Sequence, residues 1–125
     1  MRWALRNPLG SSAIRLNAHC ARADRGEPVT LALQIETENL LLREVGDRWQ
    51  SELEVMIGEK SMVGSVRFQQ DLIRLNFTAE QAATARERGI PYRKQWRPDA
   101  STVLVRVLVR DKTTGRFGTV DVQYD

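Results

Sequence analysis

The chain has 125 residues, 42% of them hydrophobic and 28% charged, which fits one globular domain rather than a disordered or membranous chain. Nineteen Lys and Arg against sixteen Asp and Glu leave a net charge of +3, too small to demand a polyanionic partner. One Cys and one His exclude an intrachain disulfide and a zinc site built from several such ligands of this chain alone.

Residues 1–13 hold only Trp3-Ala4-Leu5 as an apolar run before Arg6, so no secretory signal core is expected there. Asn7-Pro8-Leu9-Gly10-Ser11-Ser12 has the composition of a linker or turn. The expected organisation is a linker or N-terminal extension over 1–13 and a single domain over 14–125. No apolar run reaches the roughly 18 residues of a membrane-spanning helix.

Period-two alternation, the mark of a half-buried strand, then dominates. Ile14, Leu16, Ala18 and Cys20 alternate with polar neighbours, and Asp24-Arg25-Gly26-Glu27-Pro28 breaks the run. Val29, Leu31, Leu33 and Ile35 form the next apolar face; Leu40 to Leu42 follow, and Gly46-Asp47 turns. Trp49, Ser51, Leu53, Val55 and Ile57 share one face, and Gly58-Glu59-Lys60-Ser61 reads as a turn. A weaker strand over Val63–Phe68 and a separate one over Ile73–Phe77 are expected next.

Thr78-Ala79-Glu80-Gln81 then matches a capping box. Glu80 in the first turn and Arg86 and Arg88 in the last suit the helix dipole, and Gly89 supplies a stop. The spacing predicts one helix over 79–88. Tyr92–Arg97 is a short strand. Val103, Val105, Val107 and Val109 make the clearest strand, with Leu104 and Leu108 on its other face. Asp111–Arg116 is a hairpin loop, and Phe117–Tyr124 returns antiparallel. Seven to eight short strands at turn spacings of about 8–12 residues, with one helix, predict an all-β fold: an immunoglobulin/fibronectin-III-like antiparallel β-sandwich.

Chemistry-bearing residues are few. Cys20 follows the apolar parity of its strand and reads as a buried, inert thiol; His19 points the opposite way and cannot meet it. Glu52 and Glu54 share a strand face, but no imidazole accompanies them, so they read as a solvated pair rather than an acid/base pair. Asp111 reads as capping its own turn rather than binding calcium, since the loop 111–116 carries one carboxylate and a lysine. No catalytic residue, cofactor or metal site is expected. The one nucleic-acid signal is Arg86, Arg88, Tyr92, Arg93, Lys94 and Arg97, with Trp96 between, because basic residues interleaved with aromatics can track phosphates and stack bases. Loops 24–28, 58–62 and 111–116, the last with Asp111, Lys112 and Arg116, are candidate interaction loops.

Several stretches in order resemble a known family: Asn7-Pro8-Leu9 before Ile14-Arg15-Leu16-Asn17-Ala18; Trp49 after Gly46-Asp47-Arg48; Phe77-Thr78-Ala79-Glu80 leading to Gly89; and Val103-Leu104-Val105-Arg106-Val107-Leu108-Val109-Arg110-Asp111 followed by Thr114-Gly115-Arg116-Phe117-Gly118-Thr119-Val120. Together they span most of 7–124 and are similar to the C-terminal β-sandwich region of bacterial VWFA-related proteins, the kind abundant in acidobacteria. In that family a von Willebrand factor A domain lies upstream, with an Asp-x-Ser-x-Ser adhesion motif that is not found in this sequence. The resemblance therefore implies a non-enzymatic accessory module that supports an adhesion domain or mediates protein or cell-surface interaction. It also implies an extracytoplasmic parent. A nucleic-acid-binding module using the Arg86–Arg97 strip is the alternative, and a small hydrolase using Glu52, Glu54 or Asp111 the second alternative.

Overall fold

The computed structural model describes residues 14–21 and 28–123. The expected linker 1–13, residues 24–27 of the first loop, and Tyr124 at the end of the last strand lie outside the described residues. The described chain runs β1 (Leu16–Ala21), β2 (Val29–Ile35), β3 (Arg43–Val45), β4 (Arg48–Ser61), β5 (Gly64–Phe77), α1 (Ala79–Arg88), β6 (Ile90–Trp96), β7 (Leu104–Asp111) and β8 (Phe117–Gln123). Every strand pairing is antiparallel, so the fold is all-β with one short helix.

The strands form two sheets. One is three-stranded, β1-β2-β6. The other is five-stranded and centred on β4, whose full length pairs β5 on one side. The opposite edge of β4 holds β3 at its start and β7 further along, with β8 beyond β7. Period-two alternation points Val29, Leu31, Leu33 and Ile35 of β2, Leu53, Val55 and Ile57 of β4, and Val105, Val107 and Val109 of β7 to one shared interior. Branched residues suit this pleated, close-packed surface.

Helix α1 carries the chain from β5 to β6. Thr78 Oγ1 accepts from the Gln81 amide and Gln81 Oε1 accepts from the Thr78 amide, so the capping box is closed. Ala82 and Ala85 are its buried residues. Gly89, at φ 81°, ends the helix. At one flank of the two sheets, the Ile14 amide donates to the Phe117 carbonyl at 3.3 Å, drawing the start of β1 onto β8. Only glycine allows this at position 118, since a Cβ there would lie 1.9 Å from the Ile14 carbonyl oxygen.

Two local expectations need correction. Gly58–Ser61 is strand, not turn, and the two strands expected over 63–77 are one, Gly64–Phe77. The turn falls on Met62-Val63 because Ser61 holds it: its Oγ accepts from the Val63 amide and donates to the Gly64 carbonyl, both at 3.2 Å. Gly58 instead takes its place in the ladder, between Phe68 on β5 and Arg106 on β7. Among the described residues, no helix is long and apolar enough to cross a membrane.

Candidate functional site

The basic strip does not converge on one surface. Arg86 lies over the Trp49 ring, 4.7 Å from its centroid, a cation–π contact at the surface. Arg88, at the helix end, is exposed, and its carbonyl accepts from Gln34 Nε2. Tyr92 and Lys94 turn toward β5, while Arg93 sits on the opposite, exposed face of β6. The Arg97 carbonyl accepts from Arg67 Nη1 at 2.8 Å.

The hairpin loop is organised by Asp111, which is fully buried. Its Oδ1 accepts from the Thr113 amide and its Oδ2 from the Leu41 amide, each at 2.9 Å. The carboxylate thus ties the loop to the strand-free segment before β3. Lys112 lies 3.5 Å from Glu52, and Arg116 Nη1 reaches the Asn39 carbonyl. Glu54 accepts from Arg110 Nη1 and Gln70 Nε2, both at 2.9 Å. Glu52 and Glu54 therefore face outward on β4 while Asp111 points inside, so the three do not converge. Cys20 is buried, and burial pushes its thiol up to about 11, which keeps it protonated near neutral pH. Among the described residues no three His, Cys, Asp or Glu side chains are grouped to hold a metal ion.

Three features escape a reading of the sequence. The first is Glu59, only 1% exposed. It accepts from the Asp99 amide at 2.7 Å, Thr102 Oγ1 at 2.8 Å and Trp96 Nε1 at 3.1 Å, with Arg67 at 3.7 Å. A buried carboxylate is tolerable only when so satisfied. It fixes the loop between β6 and β7.

The second is a seam between the sheets. Asp71 of β5 accepts from the Tyr92 hydroxyl and from Lys94 Nζ at 2.9 Å. These two hydrogen bonds, Tyr92 first, hold the Asp71 carboxyl below its usual range, and burial together with Asp71 raises the Tyr92 phenol. Because the folded carboxyl is the stronger acid, the seam stabilises fully above the unfolded value of about 4 and is lost as pH falls through the lower folded value. The melting temperature of the wild type should exceed that of Asp71→Asn at pH 7, and the gap should close below about pH 4; a gap independent of pH would contradict this seam.

The third feature is on the outer face of the five-stranded sheet. Of the eight large hydrophobic side chains exposed among the described residues, five lie within 62–72: Met62, Val63, Val66, Phe68 and Leu72. Beside them a cavity of about 220 Å³ opens over Gly58, walled by Met56, Val66, Phe68 and Lys60 and by Arg106. Arg106 is 5% exposed. Its Nε and Nη2 donate to Asp121 at 2.7 and 2.9 Å, which raises its already high pKa, and its Nη1 has no hydrogen-bond partner. A larger, open cavity of about 500 Å³ spans the start of β4 with β3, the end of β5 and the loop after β7, lined by Arg43, Ser51, Glu52, Arg74 and Lys112. Its charges are mixed in sign and most of its lining is solvated.

No signal in the chain order marks the groove, because Gly58, Phe68 and Arg106 become neighbours only through the register of three strands. No protein-family model matches this chain, and no curated protein matches it.

Proposed function

We propose that this domain is a non-enzymatic interaction module, an accessory β-sandwich of the kind found in VWFA-related proteins, that binds a protein partner through the outer face of its five-stranded sheet. The observation that carries this reading is the concentration of exposed apolar side chains on β5 and its hairpin tip, Met62 to Leu72. Apolar side chains left exposed on one strand and its turn are a feature of interaction surfaces in folded proteins. β5 is also an edge strand, with backbone groups on its far side free to pair with an added strand.

Two further features support the reading. The pairing orders β1-β2-β6 and β5-β4-β7-β8, with β3 beside the start of β4, are compatible with the two antiparallel layers of an immunoglobulin/fibronectin-III-like sandwich. The acids that a hydrolase would need are engaged in holding loops and strands: Glu54, Glu59, Asp71 and Asp111 all accept structural hydrogen bonds. The partner is a cell-surface protein or the A domain of a longer parent.

A photo-crosslinking phenylalanine analogue tests this directly. Placed at Phe68 in living cells it should give a discrete protein adduct, and placed at Arg93 on the other sheet it should give none. Adducts from Arg93 alone would overturn the reading. So would catalytic turnover abolished by one point substitution, or a salt-sensitive nucleic-acid complex removed by Arg93→Glu with Arg97→Glu.

A further inference from the structure

The outer face of the three-stranded sheet brings together two cationic side chains that are 74 residues apart in the chain. They lie on the sheet opposite to the binding face proposed above. His19 of β1 pairs with Ala32 of β2, and Ala32 pairs with Arg93 of β6. Alternation with the buried Cys20, Leu31 and Leu33 turns His19 and Ala32 outward, and Arg93 is exposed beside them. Two strand spacings set the His19 and Arg93 backbones about 10 Å apart, with only the Ala32 methyl between them. An open trough of about 300 Å³ lies over that methyl, and His19 and Arg93 both line it.

Among the described residues, neither side chain has a hydrogen bond or an ion pair. No carboxylate lines the trough. The rows on either side are neutral: Asn17, Gln34 and Pro91 on one, Ala21, Thr30 and Gln95 on the other. Charged groups return only one row further out. Arg15 and Glu36 lie there beyond Asn17 and Gln34, joined through their backbones at 3.0 Å, and Arg97 lies beyond Gln95. Glu36 is about 13 Å along the strand from Ala32.

Positive charge confined to a single row suits one anionic group. A polyanion laid along the strands would set its next charges over amides. An oxyanion above Ala32 can accept from the Arg93 guanidinium on one side and from a protonated imidazole on the other. A tetrahedral group has oxygens for both directions at once, whereas a carboxylate presents its two on one edge. We infer that the trough binds one phosphate or sulfate group between His19 and Arg93, over Ala32. The amides of Asn17 and Gln34 beside it suit the hydroxyls of a sugar carrying that group.

Inorganic sulfate is the probe, because it stays dianionic throughout the range in which histidine titrates. His19 is the only histidine of the chain, so its ring signals report without ambiguity. Added to the intact isotope-labelled chain, sulfate should shift the His19 ring and the Ala32 and Arg93 amides, with a Kd on the order of 10 mM at low salt. Sodium chloride at equal ionic strength should not. The anion prefers the charged imidazole, so affinity should rise as pH falls through about 6.5, and sulfate should move the His19 titration midpoint up.

Arg93→Gln should weaken binding about tenfold. Ala32→Glu puts a carboxylate between the two cations at a half-buried, outward position; it should melt within a few degrees of the wild type and lose the shifts. N-acetylglucosamine 6-sulfate separates the sources: tighter binding than sulfate assigns a glycan, equal binding assigns the free anion, and either supports the site. Shifts that chloride reproduces, that survive in Ala32→Glu or that ignore pH would overturn the inference. So would a single-stranded DNA oligomer binding more tightly than sulfate at the same salt, which would assign a polyanion track. If sulfate fails while Phe68 still yields its protein adduct, the binding face stands and the anion site falls.

Discussion

Val107→Asp is expected to remove a third or more of the domain's stability at room temperature, and all of it if the wild type sits at the low end of the usual range. Val107 is fully buried at the centre of β7, paired with Ile57 of β4 and Val120 of β8, on the face turned to the three-stranded sheet. The substitution removes a core side chain and places a carboxylate where the surrounding interior is aliphatic. The combined cost is on the order of 5 kcal/mol, against a total stability of about 5–15 kcal/mol for a domain. Far-ultraviolet circular dichroism and urea titration read the outcome. A cooperative transition within about 1 kcal/mol of the wild type would contradict the placement of Val107. Lys112→Asp, on the exposed hairpin loop beside Glu52, is the control and should cost less than about 1 kcal/mol.

The second large effect belongs to Glu59. Glu59→Ala leaves the Asp99 amide, the Thr102 hydroxyl and the Trp96 indole without their acceptor. Unpaired buried donors cost about 1–3 kcal/mol each and do not add fully, so a loss of about 3–5 kcal/mol in urea titration is expected. Glu59→Gln should fall between. One amide oxygen can still accept from both Asp99 and Thr102, as Oε1 does now, while the amide NH₂ faces the Trp96 N–H donor to donor. The indole N–H resonance of Trp96 should move toward its solvent-exposed position in both variants. A stability loss in Glu59→Ala no larger than that of a surface substitution would show that water replaces the carboxylate and that the knot is not structural.

These two residues also mark where the sequence is readable and where it is not. Val107 belongs to a run of alternating valines, Val105 to Val109, that reads as a strand and all of which are buried, although Val103, the first valine of the sequence pattern, lies exposed before the strand begins. The helix is equally legible, since Thr78 and Gln81 close a local box that needs nothing distant. Glu59 carries a signal of the same kind: it continues the inward parity of Leu53, Val55 and Ile57. The turn-like composition of Gly58-Glu59-Lys60-Ser61 hides it, because the donors that make a buried acid acceptable lie some forty residues later. Asp71 is hidden likewise, since Tyr92 and Lys94 reach it from the other sheet. The basic strip is a case of sequence proximity without spatial convergence: alternation along β6 sends Tyr92 and Lys94 to the seam and Arg93 to the opposite surface. The groove is the reverse case, three residues from three strands made neighbours by register alone.

Amide hydrogen exchange with and without a bound partner tests the whole account in one measurement. Without a partner, the inward-facing stretches of β2, β4 and β7 should exchange with one common free energy, because both sheets close over a single interior. The amides of β5 that point away from β4 should exchange orders of magnitude faster. With the partner bound, protection should rise on β5 and around Gly58 and stay unchanged on β1 and β6. Separate opening of the three-stranded sheet, or new protection confined to β1 and β6, would contradict it.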